Sequence, residues 1–391
     1  MSKQAAYIIG ALLLTIFYFT GFNFDNLFGG AEDDPAVEAP AAVTPNDSRN
    51  IQLALILDTS NSMDGLIEQA KSQLWKMANR LASARKNGEA PFIEIALYEY
   101  GNSNLSVESA YIRQLSPFTD DMDKISEQLF SLTTEGGEEY CGKAMQKAMI
   151  DLPWSRDRQD LKIMVIAGNE PFSQGPVPYQ GICKVLYRKG ILLNTIHCGS
   201  YEKGQYTGWE DAAQMTSGQY LNINMDKQVA HVSTPYDKEV LRLNQQLNTT
   251  YIGYGAKAKV YRNRQLVQDS AAAGYGTANL RERALFKSKA AYSNTAWDLV
   301  DASNENGHFI EQIELSELPE QMQSMSIAER NDYIAEQAQK RQQIQEQIQE
   351  LNGKVDQYIQ KQALSADGET IDQVLINAVS QQAKAKGFVF E

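Results

Sequence analysis

Histidine and cysteine are scarce, three of each in 391 residues, and this narrows the chemistry at once. His197, His231 and His308 are the only imidazoles that can serve as a base, and a lone histidine is more often a structural residue than a catalyst. The strings G-x-x-x-x-G-K-[ST], G-x-S-x-G and H-E-x-x-H are missing. Their absence removes the phosphate-cradling loop, the serine-hydrolase elbow and the zinc-protease helix. Base is short as well: 36 Lys and Arg against 49 Asp and Glu leave a net charge of -13 and a pI near 4.9. No concentrated basic face is present to neutralise phosphates, so a nucleic-acid partner is not expected. Charge of either sign is missing altogether between Ala5 and Phe24.

That uncharged run has about the length a helix needs to cross a hydrocarbon core, and Tyr7, Phe17, Tyr18, Phe19 and Phe22 supply interfacial aromatics. Lys3 precedes it, while Glu32, Asp33 and Asp34 follow. Residues 1–24 therefore read as a single-pass membrane anchor that leaves the bulk of the chain extracytoplasmic, periplasmic or at the cell surface. A cleaved signal peptide is the alternative, but GFNFDNLF offers no small-x-small site. Residues 25–49, rich in Ala, Pro and acid without periodicity, read as an extended acidic linker.

From residue 50 to about 235, apolar runs alternate with helical patterns, which predicts an α/β fold with a doubly wound, mostly parallel sheet. IQLALIL (51–57), FIEIALYEYG (92–101), YIRQL (111–115), LKIMVIAG (161–168), ILLNTIHCG (191–199) and QYLNIN (219–224) are the expected strands. Ligands in such sheets sit where strands end and helices begin. The strand 51–57 runs directly into Asp58-Thr59-Ser60-Asn61-Ser62, which presents one carboxylate and two hydroxyls from a tight loop. These are the hard oxygen donors that Mg²⁺, Mn²⁺ or Ca²⁺ prefers. The plain alternative is a side chain that caps the helix that follows.

A D-x-S-x-S string between a buried strand and a long amphipathic helix resembles the metal-ion-dependent adhesion site of von Willebrand factor A (VWA) domains. WEDAAQMTSGQYLNI is similar to that family's closing helix and strand. SQLWKMANRLASAR, ALYEYGN, EGGEEYCG, IAGNEPFSQGPV, NTIHCG and NTAWDLVDA resemble a bacterial, membrane-anchored subgroup. The resemblance implies a Mg²⁺-type site formed by Asp58, Ser60 and Ser62 that binds a protein partner through that partner's acidic residue. Two departures bear on it. Where the family has a Gly-Gly-Thr loop, this chain has Gly136-Gly137-Glu138-Glu139, so Glu138 or Glu139 stands at the threonine position. Where the family has Asp after the central strand, this chain reads Ala167-Gly168-Asn169-Glu170. A carboxylate on one loop is expected to replace the one lost from the other.

Cys183 and Cys198 are expected at the same end of the sheet, close enough for a disulfide, against the alternative of three packed thiols including Cys141. Zinc is disfavoured, because His197 and Cys198 are consecutive on a strand and point to opposite faces. Residues 236–391 read as a mainly helical region. YIGYGAKAKVYRNRQ reads as a return to the sheet or as a hairpin. Ser326 and Glu329 form a capping box that opens a long, coiled-coil-like helix over 326–363. Its seam of Ile344, Ile348, Leu351, Val355 and Tyr358 calls for a partner, either a helix of the same chain or a second copy, with Gln339, Gln342, Gln343, Gln345, Gln347 and Gln349 as the solvated face. The expectation for the whole chain is a binding protein rather than an enzyme. An assembly subunit with a vestigial metal site is the alternative, and a metal-assisted hydrolase using Glu99, Glu138, Glu139 and Glu170 is a further one.

Overall fold

The computed structural model describes residues 48–223, 233–362 and 371–390. The expected anchor, residues 25–47 of the linker and His231 lie outside them. Among the described residues no helix is long and apolar enough to cross a membrane.

The strands β1 (Asn50–Asp58), β3 (Phe92–Tyr100), β4 (Ile112–Thr119), β5 (Leu161–Gly168), β6 (Ile191–Cys198) and β7 (Tyr220–Ile223) form one sheet in the order β4-β3-β1-β5-β6-β7. Only β4 runs antiparallel to its neighbour. The alternation along β1 explains the layering. Leu53, Leu55 and Leu57 enter one hydrophobic cluster, while Ala54 and Ile56 enter another on the opposite face. The first face is covered by α1 (Asp64–Ala82), which buries Leu66, Ile67, Ala70, Leu74, Trp75 and Ala78. The second is covered by α3 (Cys141–Asp151), α4 (Tyr179–Lys189) and α6 (Trp209–Gln214). α2 (Met122–Phe130) starts where the Asp121 side chain accepts the backbone N–H of Lys124 at 2.9 Å. α5 (Tyr201–Tyr206) and the two-residue strand β2 (Ala84–Arg85) complete this part.

The helices that follow stand on the first face. α7 (Asp237–Asn248), α8 (Ala258–Gly274) and α9 (Thr277–Lys287) share the sheet's own cluster through Leu243, Leu247, Ala272, Leu285 and Phe286. The segment read as a return strand or hairpin is instead mostly α8, and all that remains of pairing is a single antiparallel bridge between Gly253 and Asp298. Gly255, at a φ of +73°, makes the turn that lets the helix begin. Asp298 then explains much of the NTAWDLVDA string. Its carboxylate caps α10 (Leu299–Glu305) through the N–H of Asp301, accepts the N–H of Ile252 and pairs with Arg341. The short helices α11 (Phe309–Gln312) and α12 (Glu320–Gln323) lead to α13 (Ile327–Gln362).

Ser326 and Glu329 do form a reciprocal cap at the start of α13: the N–H of Ser326 meets Oε2 of Glu329 at 2.7 Å, and the N–H of Glu329 meets Oγ of Ser326 at 3.3 Å. Its seam finds its partner in the same chain, packing on α7, α9 and α10. Gln345 is half-buried and departs from the solvated face, donating to the carbonyl of Lys287 at 3.3 Å; Gln349 stays exposed and donates to the carbonyl of Ser288 at 2.8 Å, and together they close the end of α9. Finally α14 (Ile371–Ala385) returns to the sheet proper. It packs on α1, β5 and β7 with Leu375, Val379 and Ala383 in the core, and β8 (Val389–Phe390) pairs with β2.

The three cysteines are free, buried thiols. The expected Cys183–Cys198 bridge is overturned by the sheet itself. His197 packs against Trp209 on the second face, so the next residue, Cys198, points into the cluster of the first, whereas Cys183 sits in the second. A disulfide would have to pass through the sheet. Thiol labelling of the denatured, unreduced chain should therefore count three cysteines, and a count of one would restore a bridge.

Candidate metal centre

β1 is flanked on both sides by parallel strands, and its last residue opens at the carboxyl end of the sheet. Asp58 has 0% exposure and Ser60 only 2%. The loop is held rigidly: Thr59 donates its N–H to the carbonyl of Tyr100 at 2.8 Å and its hydroxyl to Glu99 at 3.2 Å, and Glu99 is in turn paired with Arg113. Glu99 thereby positions the loop and does not face the cation site. Asp58 Oδ1 accepts the N–H of Ser60 at 2.8 Å, while its Oδ2 is buried without a hydrogen-bond partner. A buried carboxylate oxygen left unmatched is costly unless a ligand completes it.

The hydroxyls of Ser60 and Ser62 lie 3.3 Å apart, and Nδ2 of Asn169 donates to Ser62 at 3.0 Å. The other amide atom of Asn169, Oδ1, is likewise buried without a partner. From the loop before α3, Glu139 reaches the same place. A Cβ at Gly101 would stand 2.8 Å from Asp58 Oδ1 and 3.0 Å from Glu139 Cγ, so only glycine fits between the two acids. Glu138 is exposed and shares the amide of Gln174 with Glu139, at 3.4 and 3.3 Å. Of the two expected ligands, the structure brings Glu139 to Asp58 and leaves Glu138 on the rim.

The missing acid at position 168 has a steric cause. A Cβ at Gly168 would lie 2.4 Å from the Tyr100 hydroxyl, 2.9 Å from Asp58 Oδ2 and 3.1 Å from Trp209, so no side chain is accommodated there. Tyr100 fills the space and donates to the carbonyl of Ala167 at 3.1 Å. Further acid stands near Asp58 on two loops, as Glu139 and as Glu170. Burial, partly opposed by hydrogen bonds from Ser60 and reinforced by the charges of Glu139 and Glu170, pushes the Asp58 carboxyl up to about 7. Burial and the charge of Glu170 also raise Glu139. In the sequence Glu170 stands out only as a hydrolase candidate, and Asn169 does not stand out at all. The signal for both is their position, two residues and one residue beyond the end of β5, at the mouth of a doubly wound sheet.

Among the described residues no group of three His, Cys, Asp or Glu side chains closes on one point. A cation would therefore combine Asp58 and Glu139 with the hydroxyls of Ser60 and Ser62 and the unmatched oxygen of Asn169, an oxygen set that fits Mg²⁺, Mn²⁺ or Ca²⁺. Buried His197 has both ring nitrogens without partners, and burial lowers its basicity. It stands behind the site as a neutral packing residue against Trp209.

Fold and site together describe a doubly wound α/β protein with an acidic, hydroxyl-lined candidate cation site at the carboxyl end of its central strand. No protein-family model and no curated protein matches the chain. Among solved structures it is similar to the VWA domain of SpRpn10 (17% identity, TM-score 0.34, covering 46% of this chain and 90% of that one). It is also similar to the conserved hypothetical protein BatB from Bacteroides thetaiotaomicron (14%, TM-score 0.34, covering 44% and 90%). A third is proximal thread matrix protein 1 from the mussel byssus, in a form with a zinc-occupied MIDAS motif (12%, TM-score 0.36, covering 46% of this chain and 43% of that one). The chain thus spans less than half the length of the mussel protein it matches.

Proposed function

We propose that the chain is a membrane-anchored, VWA-type binding module, not an enzyme, whose Asp58 loop holds a divalent cation and presents that end of the sheet to a protein partner. The observation that carries this reading is Asp58 Oδ2, a buried carboxylate oxygen without a hydrogen-bond partner, on a loop whose Ser60 and Ser62 hydroxyls lie 3.3 Å apart and with Glu139 across Gly101 from the carboxylate's other oxygen. The same carboxyl, held near 7, makes cation uptake pH-dependent: protons compete with the metal, so affinity falls by up to about tenfold for each unit below that value.

The test is calorimetric. Glu139→Gln is expected to lose at least about tenfold in Mg²⁺ affinity, close to 1.4 kcal/mol, with little change in the metal-free thermal midpoint. Glu138→Gln, on the rim, should bind Mg²⁺ like the wild type. Unchanged affinity in both variants would leave Asp58 as the sole acid at the ion. It would favour the second reading, a structural or assembly subunit with a vestigial site, to which the sealed position at Gly168 already lends weight.

A further inference from the structure

Charge is spread unevenly over the two ends of the sheet. The strands β1, β3, β5 and β6 all begin at the end opposite Asp58, and the segments that lead into them gather there. Residues 152–160, 187–190 and 384–390 carry Arg156, Arg158, Arg188, Lys189, Lys384 and Lys386 against only Asp157 and Asp160, in a chain whose acids outnumber its bases. No single stretch of sequence announces this face, because the topology assembles it from segments far apart in the chain.

The three segments meet. Lys386 Nζ donates to the carbonyl of Arg158 at 2.5 Å, Lys162 Nζ donates to that of Ser155 at 2.8 Å, and a Cβ at Gly190 would stand 3.9 Å from the same Lys162 Nζ. Arg156, Arg158, Arg188, Lys189 and Lys384 are exposed. The two acids are engaged within the fold: Asp160, 1% exposed, accepts from Ser48, Asn50 and Ser155, and Asp157 accepts the N–H of Gln159 at 2.7 Å. Arg188 and Lys189 also suit the last turn of α4, where a helix favours bases. Arg156 and Arg158 lie beyond the last turn of α3, on the loop into β5, where that role does not apply.

Two further observations say what this face meets. Apolar groups stand open among its bases, the Tyr187 side chain at 60% exposure and Val389 of β8 at 59%. Bases around an exposed ring and an aliphatic side chain suit a bilayer surface, whose phosphates take the cations and whose interface takes the ring. The chain also joins the fold here: Ser48 bonds Asp160, and its carbonyl accepts Lys86 Nζ at 2.6 Å, so the residues that follow the expected anchor arrive beside the basic segments.

We propose that this end of the sheet rests on the bilayer, its arginines and lysines on the phosphates of anionic lipids and Tyr187 at the interface, which holds the Asp58 end toward a partner on the far side. The inference rests on the anchor in the proposed function and adds the lipid chemistry that orients the module.

The experiment places the full chain in nanodiscs of phosphatidylcholine alone or of an equal mixture with phosphatidylglycerol, with an acceptor dye on the lipid headgroups. A fluorescent donor is attached at Gln159→Cys, on the basic face, or at Asn104→Cys, on the loop after β3 at the Asp58 end; the native thiols are buried and do not compete for label. Energy transfer from position 159 is expected to be stronger in the mixed discs and to fall to the phosphatidylcholine value in high salt, while transfer from position 104 stays weak in both. Arg156→Gln/Arg158→Gln/Lys189→Gln should remove the difference between the discs. The same loss of charge in Lys257→Gln/Lys259→Gln/Lys340→Gln, at the start of α8 and on α13, should leave it intact. Equal transfer from position 159 in the two discs would overturn the proposal, and so would an equal loss in the α8 and α13 control. Release of the face by duplex DNA at matched phosphate concentration would also overturn it, by making the face a general polyanion site. Failure of the chain to co-purify with the neutral discs would sink the anchor alone. The face is then read from salt-sensitive binding to the mixed discs, and absence of that binding overturns it.

Discussion

Asp58→Asn should abolish Mg²⁺ uptake and, in the same protein, make the metal-free chain more stable above pH 7. Both halves follow from one buried carboxyl. Asp58 has no exposed surface, and burial is the largest reason that its carboxyl titrates near 7 instead of its ordinary 3.8. Between those two values the folded chain keeps a proton that the unfolded chain has released. The Asp58 contribution to the stability of the metal-free wild type is therefore most favourable below about pH 4, falls as pH rises to about 7, and is level beyond. The whole fall amounts to about 4 kcal/mol at most, since each pH unit between the two values contributes about 1.4 kcal/mol. Asparagine retains an oxygen for the N–H of Ser60 and removes the charge, so the variant should be the more stable by about 2 kcal/mol at pH 8. The advantage should shrink steadily toward pH 5. With Mg²⁺ present the order reverses, because only the wild type gains from ligation. Urea unfolding at both pH values, with and without Mg²⁺, reads all four quantities. A variant less stable than the wild type in metal-free buffer at pH 8 would show that the Asp58 charge is not strained there.

Arg283→Met should cost about 3 to 5 kcal/mol, because it leaves buried Asp123 without its counter-charge and Asp269 with Lys287 alone. Arg283 has 0% exposure and bonds Asp123 of α2 at 2.6 Å, Asp269 of α8 at 2.5 Å and the carbonyl of Gln265 at 2.9 Å. Its guanidinium lies 4.5 Å from the centroid of the Trp75 ring on α1. Lys287 completes the group, touching Asp269, Asn244 and Asn248; burial draws its amine down to about 8 in spite of Asp269. These contacts, with the Asp123 bond from Tyr292 at 2.7 Å, join the helical region to the helices on either side of the site loops. A shift of the urea midpoint worth under about 1 kcal/mol would mean that water or rearrangement satisfies the two aspartates, and the network would not be what fixes the helices to the sheet.

The parallel sheet was legible because its strands are continuous apolar runs that begin and end cleanly, and the D-x-S-x-S loop because it directly follows one of them. Helix α8 was not, since three of its four buried positions are polar: Gln265 and Asp269 bond Arg283, Gln268 accepts from Ser126, and with Ala272 alone an apolar periodicity never forms. The return of α14 to the sheet was hidden for another reason. Its contacts with α1, β6 and β7 join residues far apart in the chain, such as Gln382 and Asn194 of β6 at 2.9 Å, and no local pattern announces such pairing. At the site, the choice between Glu138 and Glu139 depends on which way the loop turns past Gly101, which spacing alone does not fix. The absence of a disulfide was legible in principle: the alternation that sets His197 and Cys198 on opposite faces also separates Cys198 from Cys183.

The most direct test of the cation centre is a Mn²⁺ titration of the full chain in detergent at pH 8, followed by electron paramagnetic resonance, which distinguishes free from bound ion. One tightly held Mn²⁺ per chain is expected, competed by Mg²⁺, released as the pH is lowered through the region near 7 and lost in Asp58→Asn. Equal Mn²⁺ binding by the wild type and Asp58→Asn, or none by either, would contradict a centre built on Asp58.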